Sequence, residues 1–574
     1  IGDIVDQCNV EFPNELHTPK FVSDDDIDAK TRLRNLAQRG ISWRYPNGGW
    51  TEDHQQRMEY ELGIIEKLGY SDYLCIVEDF LRYGRKLGTN NEEGVGLGIG
   101  PGRGSAVGSL VCYLVGITGI DPMKYGLIFE RFLNTERVSF PDIDSDFKTD
   151  IRDDVLDYVR SKYGPNAVCG IITKGTLAAR ASVKAAAKAL QLRQDAMQKS
   201  AEKGHEYLRA GDIVTNLIPE KPGITLADVE PFVQENIVGR EKEQEIFHAP
   251  KLIEGLTSQY GVHAAGVIIA DNGNVSDYVP LAYNTKKEQW VCQCTMTEAE
   301  ADAHLLKMDF LGLRNLNIIT DTLRLIKRNY GLSLDMEEIG RSLKHGRTSK
   351  FDIRGNVFDD IFATGKTNSV FQFESSGMKE MLKKFRPSNI EDIILLVAAY
   401  RPGPMQYLDE IIEVKHGKKK PKYIVPALKD ILDSTYGKPI YQEQVMSIFN
   451  KIAGFSLGEA DIIRRAMSKK KLKELVKYHD KFIQGLEAAG AKTSDVESFW
   501  EELLDFARYA FNKSHATAYA FVAYYTAFLK LNYPTEYMTA ALNYTTVEKL
   551  PELVSECAQM GIAVLPPDIN RSNS

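Results

Sequence analysis

The sequence predicts an α+β protein of several domains, and three observations carry that reading. Strand-like runs are few and gather in the first part of the chain, at 138–147, 266–270, 289–295 and 304–310. From residue 311 to about 550, apolar positions fall almost wholly at helical spacing. At 574 residues the chain is too long for one core, so three or four domains are expected. Hydrophobic residues make up 43% and charged residues 26%, an ordinary composition for a soluble protein. No apolar run reaches membrane-spanning length, and Ile1-Gly-Asp-Ile4 does not open like a signal peptide. Seven scattered cysteines point to a reduced, cytoplasmic protein without a disulfide frame. Cys292 and Cys294 have no second Cys or His pair nearby, so zinc is not expected. A net charge of −8 excludes a uniformly basic nucleic-acid binder but says nothing of local clefts.

Taken in order, residues 1–20 read as the tail of a preceding segment. Between Gln55 and Leu87, Tyr60, Ile64, Ile65, Leu68, Leu74, Val77, Phe80 and Leu81 predict two amphipathic helices broken near Gly69. The run Gly94–Ser109 lacks both GxGxxG spacing and a Gly-Lys-Ser/Thr ending, so neither a Rossmann turn nor a Walker loop fits. It feeds an apolar helical stretch, Ser105–Val115, which a flexible linker does not usually do. Ser105 is placed to cap that helix, leaving backbone N–H groups for an anion.

In Val138-Ser-Phe-Pro-Asp-Ile-Asp-Ser-Asp-Phe147, aspartates stand at 142, 144 and 146. An extended backbone turns alternate side chains to one face, with Phe140, Ile143 and Phe147 anchoring the segment. Carboxylates so crowded favour protonation unless a cation sits among them, and oxygen-only ligands select hard ions such as Mg²⁺ or Mn²⁺. An EF-hand would need Gly and Glu where Phe147 and Asp153 stand. A solvated acidic turn is the bland alternative.

Ile151–Tyr163 reads as a helix, and Thr176–Ser200 as a long one carrying Arg180, Lys184 and Lys188 at i, i+4, i+8. That stripe is either a solvated face or a rail for nucleic-acid phosphates. Residues 201–250 are polar with few strand signals. In the strand-like run 304–310, Lys307 and Asp309 share a face opposite Leu306 and Met308; the pair is either a strand end or a metal ligand beside a phosphate-binding cation. Ala363-Thr-Gly-Lys-Thr367 fails as a Walker loop because position 360 is Asp360. Basic clusters recur at Lys379–Arg386, Lys415–Lys422 and Arg464–Lys471, the last on a helix announced by the capping box Ser456-Leu-Gly-Glu459. Between Tyr509 and Tyr525, aromatics mix with Lys513 and His515, suiting either base stacking or a core.

Several of these stretches, in order, resemble one family. They are Gly100-Pro-Gly-Arg-Gly-Ser105, Phe129-Glu-Arg-Phe-Leu-Asn134, Pro141-Asp-Ile-Asp-Ser-Asp-Phe147, Lys307-Met-Asp-Phe-Leu-Gly-Leu313, Tyr400-Arg-Pro-Gly-Pro404, Tyr441-Gln-Glu-Gln-Val-Met446, Arg464-Arg-Ala-Met467 and Phe511-Asn-Lys-Ser-His515. The sequence is similar to the catalytic alpha subunits of bacterial DNA polymerase III, the C-family replicases, over nearly its whole length. The resemblance implies a mixed-sheet palm like that of the beta-type nucleotidyltransferases, a helical thumb inserted into it, and large, mainly helical fingers. The implied boundaries are a tail at 1–20, palm at 21–174, thumb at 175–264, palm again at 265–315 and fingers at 316–574. It implies template-directed DNA synthesis from deoxynucleoside triphosphates, with two Mg²⁺ ions held by Asp142, Asp144 and Asp309 and Mn²⁺ as a substitute; Asp146 is not counted among the ligands.

Gly104, Ser105, Lys307, Arg464 and Arg465 are implied to meet the triphosphate, and Tyr509 and His515 the new base pair and its sugar. Arg180, Lys184 and Lys188 fall in the implied thumb, where the rail reading makes them DNA contacts. Implied partners are primed template DNA, deoxynucleotides, and a sliding clamp with other replisome subunits, reached through regions beyond this sequence. A Mg²⁺-dependent nuclease would use the aspartates without a triphosphate grip. A DNA-binding module without catalysis would not cluster carboxylates beside phosphate-binding groups.

Overall fold

The computed structural model describes residues 17–23, 25–136, 141–198, 205–221, 223–271, 273–343, 350–469, 471–566 and 568–569. Most of the expected tail, the segment Val138-Ser-Phe140, Ser200 and Lys470 lie outside these residues. Among the described residues six strands are formed in mixed orientation: β1 (Asp144–Phe147), β2 (Val168–Thr176), β3 (Thr257–Ile269), β4 (Leu281–Asn284), β5 (Gln289–Cys292) and β6 (Lys307–Gly312). The chain divides into two compact units, one of 15–168, 267–274 and 305–574, the other containing 169–266 and 275–304.

In the larger unit β1 runs parallel to β6. Parallel pairs need both faces covered, and their core faces are strongly apolar here. Phe147 and Phe310 stack with ring centroids 5.5 Å apart, and Phe80 of the helix Ser71–Gly88 lies 4.6 Å from Phe310. The two expected helices before it appear as Glu52–Lys67 and Ser71–Gly88, separated at Gly69, whose φ of 76° is costly for any side chain. The glycine-rich segment then packs tightly against the second helix: a methyl on Gly98 would overlap the Gly84 carbonyl. That contact, and an antiparallel bridge between Ile99 and Phe147, pins the segment to the end of β1. It is structural, not a loose linker.

The helical half of this unit is organised around Lys513–Asn532, which is buried on nearly every side, as a helix without a polar face must be. Ala518, Phe521, Tyr524 and Phe528 carry its core contacts. Ser456 caps the helix Leu457–Ser468 as expected; Glu459 N–H donates to Ser456 Oγ at 3.0 Å and Ser456 N–H to Glu459 Oε2 at 2.8 Å.

In the smaller unit β3, β2, β5 and β4 lie side by side, β2 parallel and β4 antiparallel to β5. Helices Ala179–Gln198, Glu206–Leu217, Leu226–Asn236 and Glu241–His248 close a second core on Val183, Val214, Val229 and Phe247. The expected thumb range 175–264 lies within this unit, together with 275–304. Two element expectations need correction. The run 289–295 leaves the strand at Cys292, because Thr295 caps the helix Met296–Ala301. The stretch Ser105–Val115 is not one helix: a 3₁₀ turn, Gly104–Gly108, precedes a short helix, Leu110–Val115, capped by Ser109 rather than Ser105.

Candidate active site

Two distant segments meet as neighbouring strands to build the site. The β1–β6 register sets Asp144 opposite Asp309 and Ser145 opposite Phe310. Side chains alternate across a strand, so the face opposite Phe147 and Phe310 carries Asp144, Asp146, Lys307 and Asp309. Asp142 precedes the strand and turns back to the same point. Ligand oxygens of Asp142, Asp144 and Asp309 all lie within 4.8 Å of one another.

Lys307 is buried and places Nζ 2.6 Å from Asp309 Oδ2 and 3.6 Å from Asp142 Oδ1. The other Asp309 oxygen, Oδ1, is buried and accepts no hydrogen bond. It can meet the neighbouring Asp144 carboxyl only through a shared proton or a cation. Burial first, then the charge of Asp142, pushes Asp144 up to about 7, with Arg103 pulling the other way. Asp146 is pushed up to about 6, again mainly by burial. Four carboxylates thus face two basic side chains, and the oxygen donor set with its uncompensated negative charge fits a divalent cation.

Arg103 is the residue that sequence reasoning missed, although it stands inside the matched stretch Gly100–Ser105. Its Nε lies 3.4 Å from Asp144 Oδ2 and its Nη1 3.7 Å from Asp146 Oδ1. Nη1 also donates to the Tyr519 hydroxyl at 2.9 Å, tying the carboxylates to the helix Lys513–Asn532. Asp146 therefore shares the face of the trio but belongs with Arg103.

Gly104 sits at φ 69°, and a side chain there would approach Asp144 Oδ2 to 3.5 Å. Its N–H donates to His515 Nδ1 at 3.3 Å, and the His515 ring lies 4.3 Å from that of Tyr519. Burial, with Arg103 and Arg401 nearby, pushes His515 down to about 4. The ring is therefore neutral, and with Nδ1 accepting, its proton is on Nε2. Ser105 is half-buried in the 3₁₀ turn beside Gly104.

The expected anion site at the start of the helix Leu110–Val115 is already filled. Glu61, fully buried, accepts from Ser109 Oγ at 2.7 Å and from the N–H groups of Leu110 and Val111 at 3.0 Å each. Arg57 completes the pair at 2.6 Å. The helix start does draw an anion, as its dipole favours, but that anion is a side chain of the chain itself.

Arg464 is buried and donates twice to Asp461 Oδ1, at 2.6 and 3.1 Å. Arg465 shares Asp461 at 3.2 Å and keeps its side chain 38% exposed. Tyr509 is exposed, its ring filling the space that a side chain at Gly403 would need. In the smaller unit, Arg180 pairs with Glu220 at 2.9 Å, whereas Lys184 and Lys188 are exposed.

No described helix is long and apolar enough to cross a membrane. Among the described residues all cysteines are free thiols.

Residues 31–312 match the family described as the bacterial DNA polymerase III alpha NTPase domain, and residues 315–490 the bacterial DNA polymerase III alpha subunit finger domain. The chain is 38% identical over 576 residues to a DNA polymerase III subunit alpha of Halalkalibacterium halodurans, covering 99% of this chain and 48% of that one. It is 40% identical over 536 residues to the subunit of Thermus aquaticus, covering 91% and 41%. Against that of Bacillus subtilis it is 36% identical over 577 residues, covering 100% and 48%. The chain spans about half the length of the curated relatives it matches. It belongs to the bacterial DNA polymerase III alpha-subunit family.

Proposed function

We propose that this chain is the polymerising core of a DNA replicase, adding deoxynucleoside monophosphates to a primer 3′-hydroxyl and releasing pyrophosphate. The observation that carries the reading is the convergence of Asp142, Asp144 and Asp309 with Lys307 beside the Gly104 turn. Asp142, Asp144 and Asp309 would hold Mg²⁺, with Mn²⁺ as a substitute. A divalent cation bound there supplies charge that eases deprotonation of the attacking hydroxyl and offsets charge on the leaving group.

The chain's own residues do the rest. Lys307 fixes the Asp309 carboxylate and adds a positive charge beside the trio. Gly104 holds the left-handed φ of 69° that the turn beside Asp144 needs and that other residues adopt only with strain. His515, neutral and held at Nδ1, presents an Nε2–H donor and a ring face to the nucleotide sugar. Arg464 and Arg465 share Asp461; Arg464 is buried, and the 38% exposed Arg465 side chain is the one placed to reach a triphosphate, with Ser105 contributing from the turn. Tyr509 stands exposed for the new pair. Template sequence is read by base pairing, so Arg180, Lys184 and Lys188 need supply only phosphate contacts. Palm (21–174, 265–315), thumb (175–264) and fingers (316–574) are the natural division of labour, with 1–20 a tail. A sliding clamp and other replisome subunits would be met through the remainder of a longer polypeptide.

Primer extension tests the reading. Growth of a primed template by nucleotides complementary to the template, only when these and Mg²⁺ are supplied, is the expected result. Primer shortening would indicate a nuclease, and binding without any change in primer length a DNA-binding module.

A further inference from the structure

Arg103 spans two carboxylates of unlike use. Its Nε lies 3.4 Å from Oδ2 of Asp144, a member of the trio, and its Nη1 3.7 Å from Oδ1 of Asp146, which is not. The guanidinium is fixed by its surroundings. Gly102 and Gly104 flank it with φ of 114° and 69°, settings that other residues adopt only with strain. The turn that carries it is fastened to β1, since Gly100 N–H donates to the Asp146 carbonyl at 2.8 Å. Nη1 donates to the Tyr519 hydroxyl at 2.9 Å. A planar fork with donors at both ends serves two carboxylates at once, where an ammonium is a single point of charge.

Asp146 is otherwise poorly provided for. It is 4% exposed and lies two residues beyond Asp144 on the same face of β1. Its Oδ2 is buried and has no hydrogen-bond partner among the described residues. A buried carboxylate oxygen left bare, beside a second carboxylate, is an oxygen donor of the kind that hard cations take. Lys307 already serves the other flank of the trio, between Asp309 and Asp142. On the Asp146 flank the positive charge comes from Arg103 instead.

We infer that Arg103 is a built-in cation that keeps Asp146 out of the metal-binding set and confines divalent ions to Asp142, Asp144 and Asp309. The inference rests on the cation reading of that trio given above. Arg103 is on this account a positioning residue. Asp146 anchors the guanidinium that borders the site and is not itself a ligand.

The test counts Mn²⁺ bound to the full chain by the loss of the free-ion electron paramagnetic resonance signal. Arg103→Gln, which keeps a donor for the Tyr519 hydroxyl, should bind an additional Mn²⁺ ion per chain. The ions already bound should be held about tenfold more tightly, because a positive charge beside them is gone. Asp146→Asn alone should leave the count unchanged. Added to Arg103→Gln, it should abolish the additional ion, so that the two substitutions are not additive. A count that does not rise in a folded Arg103→Gln variant overturns the inference. A count that falls in Asp146→Asn overturns it too, by making Asp146 a ligand already. Where Arg103→Gln does not fold, the Asp146→Asn count decides, unchanged in favour and lowered against. If the unaltered chain binds Mn²⁺ and loses it in Asp144→Asn, yet Arg103→Gln gains none, only this inference fails. If the unaltered chain binds no Mn²⁺, the cation reading of the trio fails with it.

Discussion

Replacing Glu61 by alanine should damage folding and leave nucleotide binding alone, the reverse of what a phosphate-binding helix end would predict. The carboxylate is fully buried and accepts from Ser109 Oγ, Leu110 N and Val111 N while pairing with Arg57. Its loss strands three donors and takes the counter-charge from Arg57, which keeps only the Gly108 and Leu127 carbonyls. A buried donor left unmade costs ~1–3 kcal/mol, and removing one partner of a buried ion pair ~3–5 kcal/mol; these terms overlap, so about 4–6 kcal/mol is the reasonable sum. Against a typical ~5–15 kcal/mol of domain stability, that is enough to unfold much of the larger unit. Glu61→Gln should recover part of the loss, because one carboxamide oxygen can still take one or two of the N–H donors. Denaturant unfolding followed by intrinsic fluorescence reads the effect as a fall in the midpoint of the transition. Hydrogen exchange at the Leu110 and Val111 amides localises it. An unchanged midpoint together with a tenfold rise in KM for the deoxynucleotide would overturn this account and return the helix end to the substrate.

Other outcomes follow from the same geometry. Asp309→Asn should lower incorporation by ~10³-fold or more while primed-template affinity stays within about twofold, because the proposed cation ligand and the partner of Lys307 go together; single-turnover extension and anisotropy measure the two. The Lys184→Ala, Lys188→Ala double variant should flatten the salt dependence of duplex binding by about 1.8, and adding Arg180→Ala should change it less, since Arg180 is already paired with Glu220. An unchanged slope would make the stripe a solvated face. His515 is neutral when folded and titrates near pH 4, against 6.5 for a free imidazole. The unfolded chain therefore binds its proton first, and stability is lost as pH falls from 6.5 through about 4, by at most about 3 kcal/mol. His515→Gln should lose that part of the acid sensitivity in unfolding midpoints measured between pH 7 and pH 4.

What the sequence disclosed, and what it hid, follows from how local each interaction is. The alternation of Asp144 and Asp146 on β1 and the capping box at Ser456 depend on neighbours within a few residues, so spacing revealed them; Asp142, expected on the same strand, reaches the site from just before it. The partnership of Asp144 with Asp309 depends on which strands pair and in what register, which no local pattern encodes; only the Lys307–Asp309 alternation hinted at it. The fate of charges was least legible. A helix start advertises room for an anion, yet Glu61 comes from another helix 48 residues earlier in the chain. Arg464 advertises a phosphate grip, yet Asp461 one turn back has taken it.

The same principle sorts the remaining cations. Lys415, from the lysine-rich segment, is held by Asp392 at 2.6 Å and, like Arg464, is already neutralised within the fold, so Lys415–Lys422 holds fewer available charges than composition suggests. A ligand's phosphates can be met only by side chains that folding has not already neutralised. By that criterion the exposed Lys184 and Lys188 are the residues of the stripe that remain available to nucleic-acid phosphates. Substituting the internally paired cations should instead appear as lost stability.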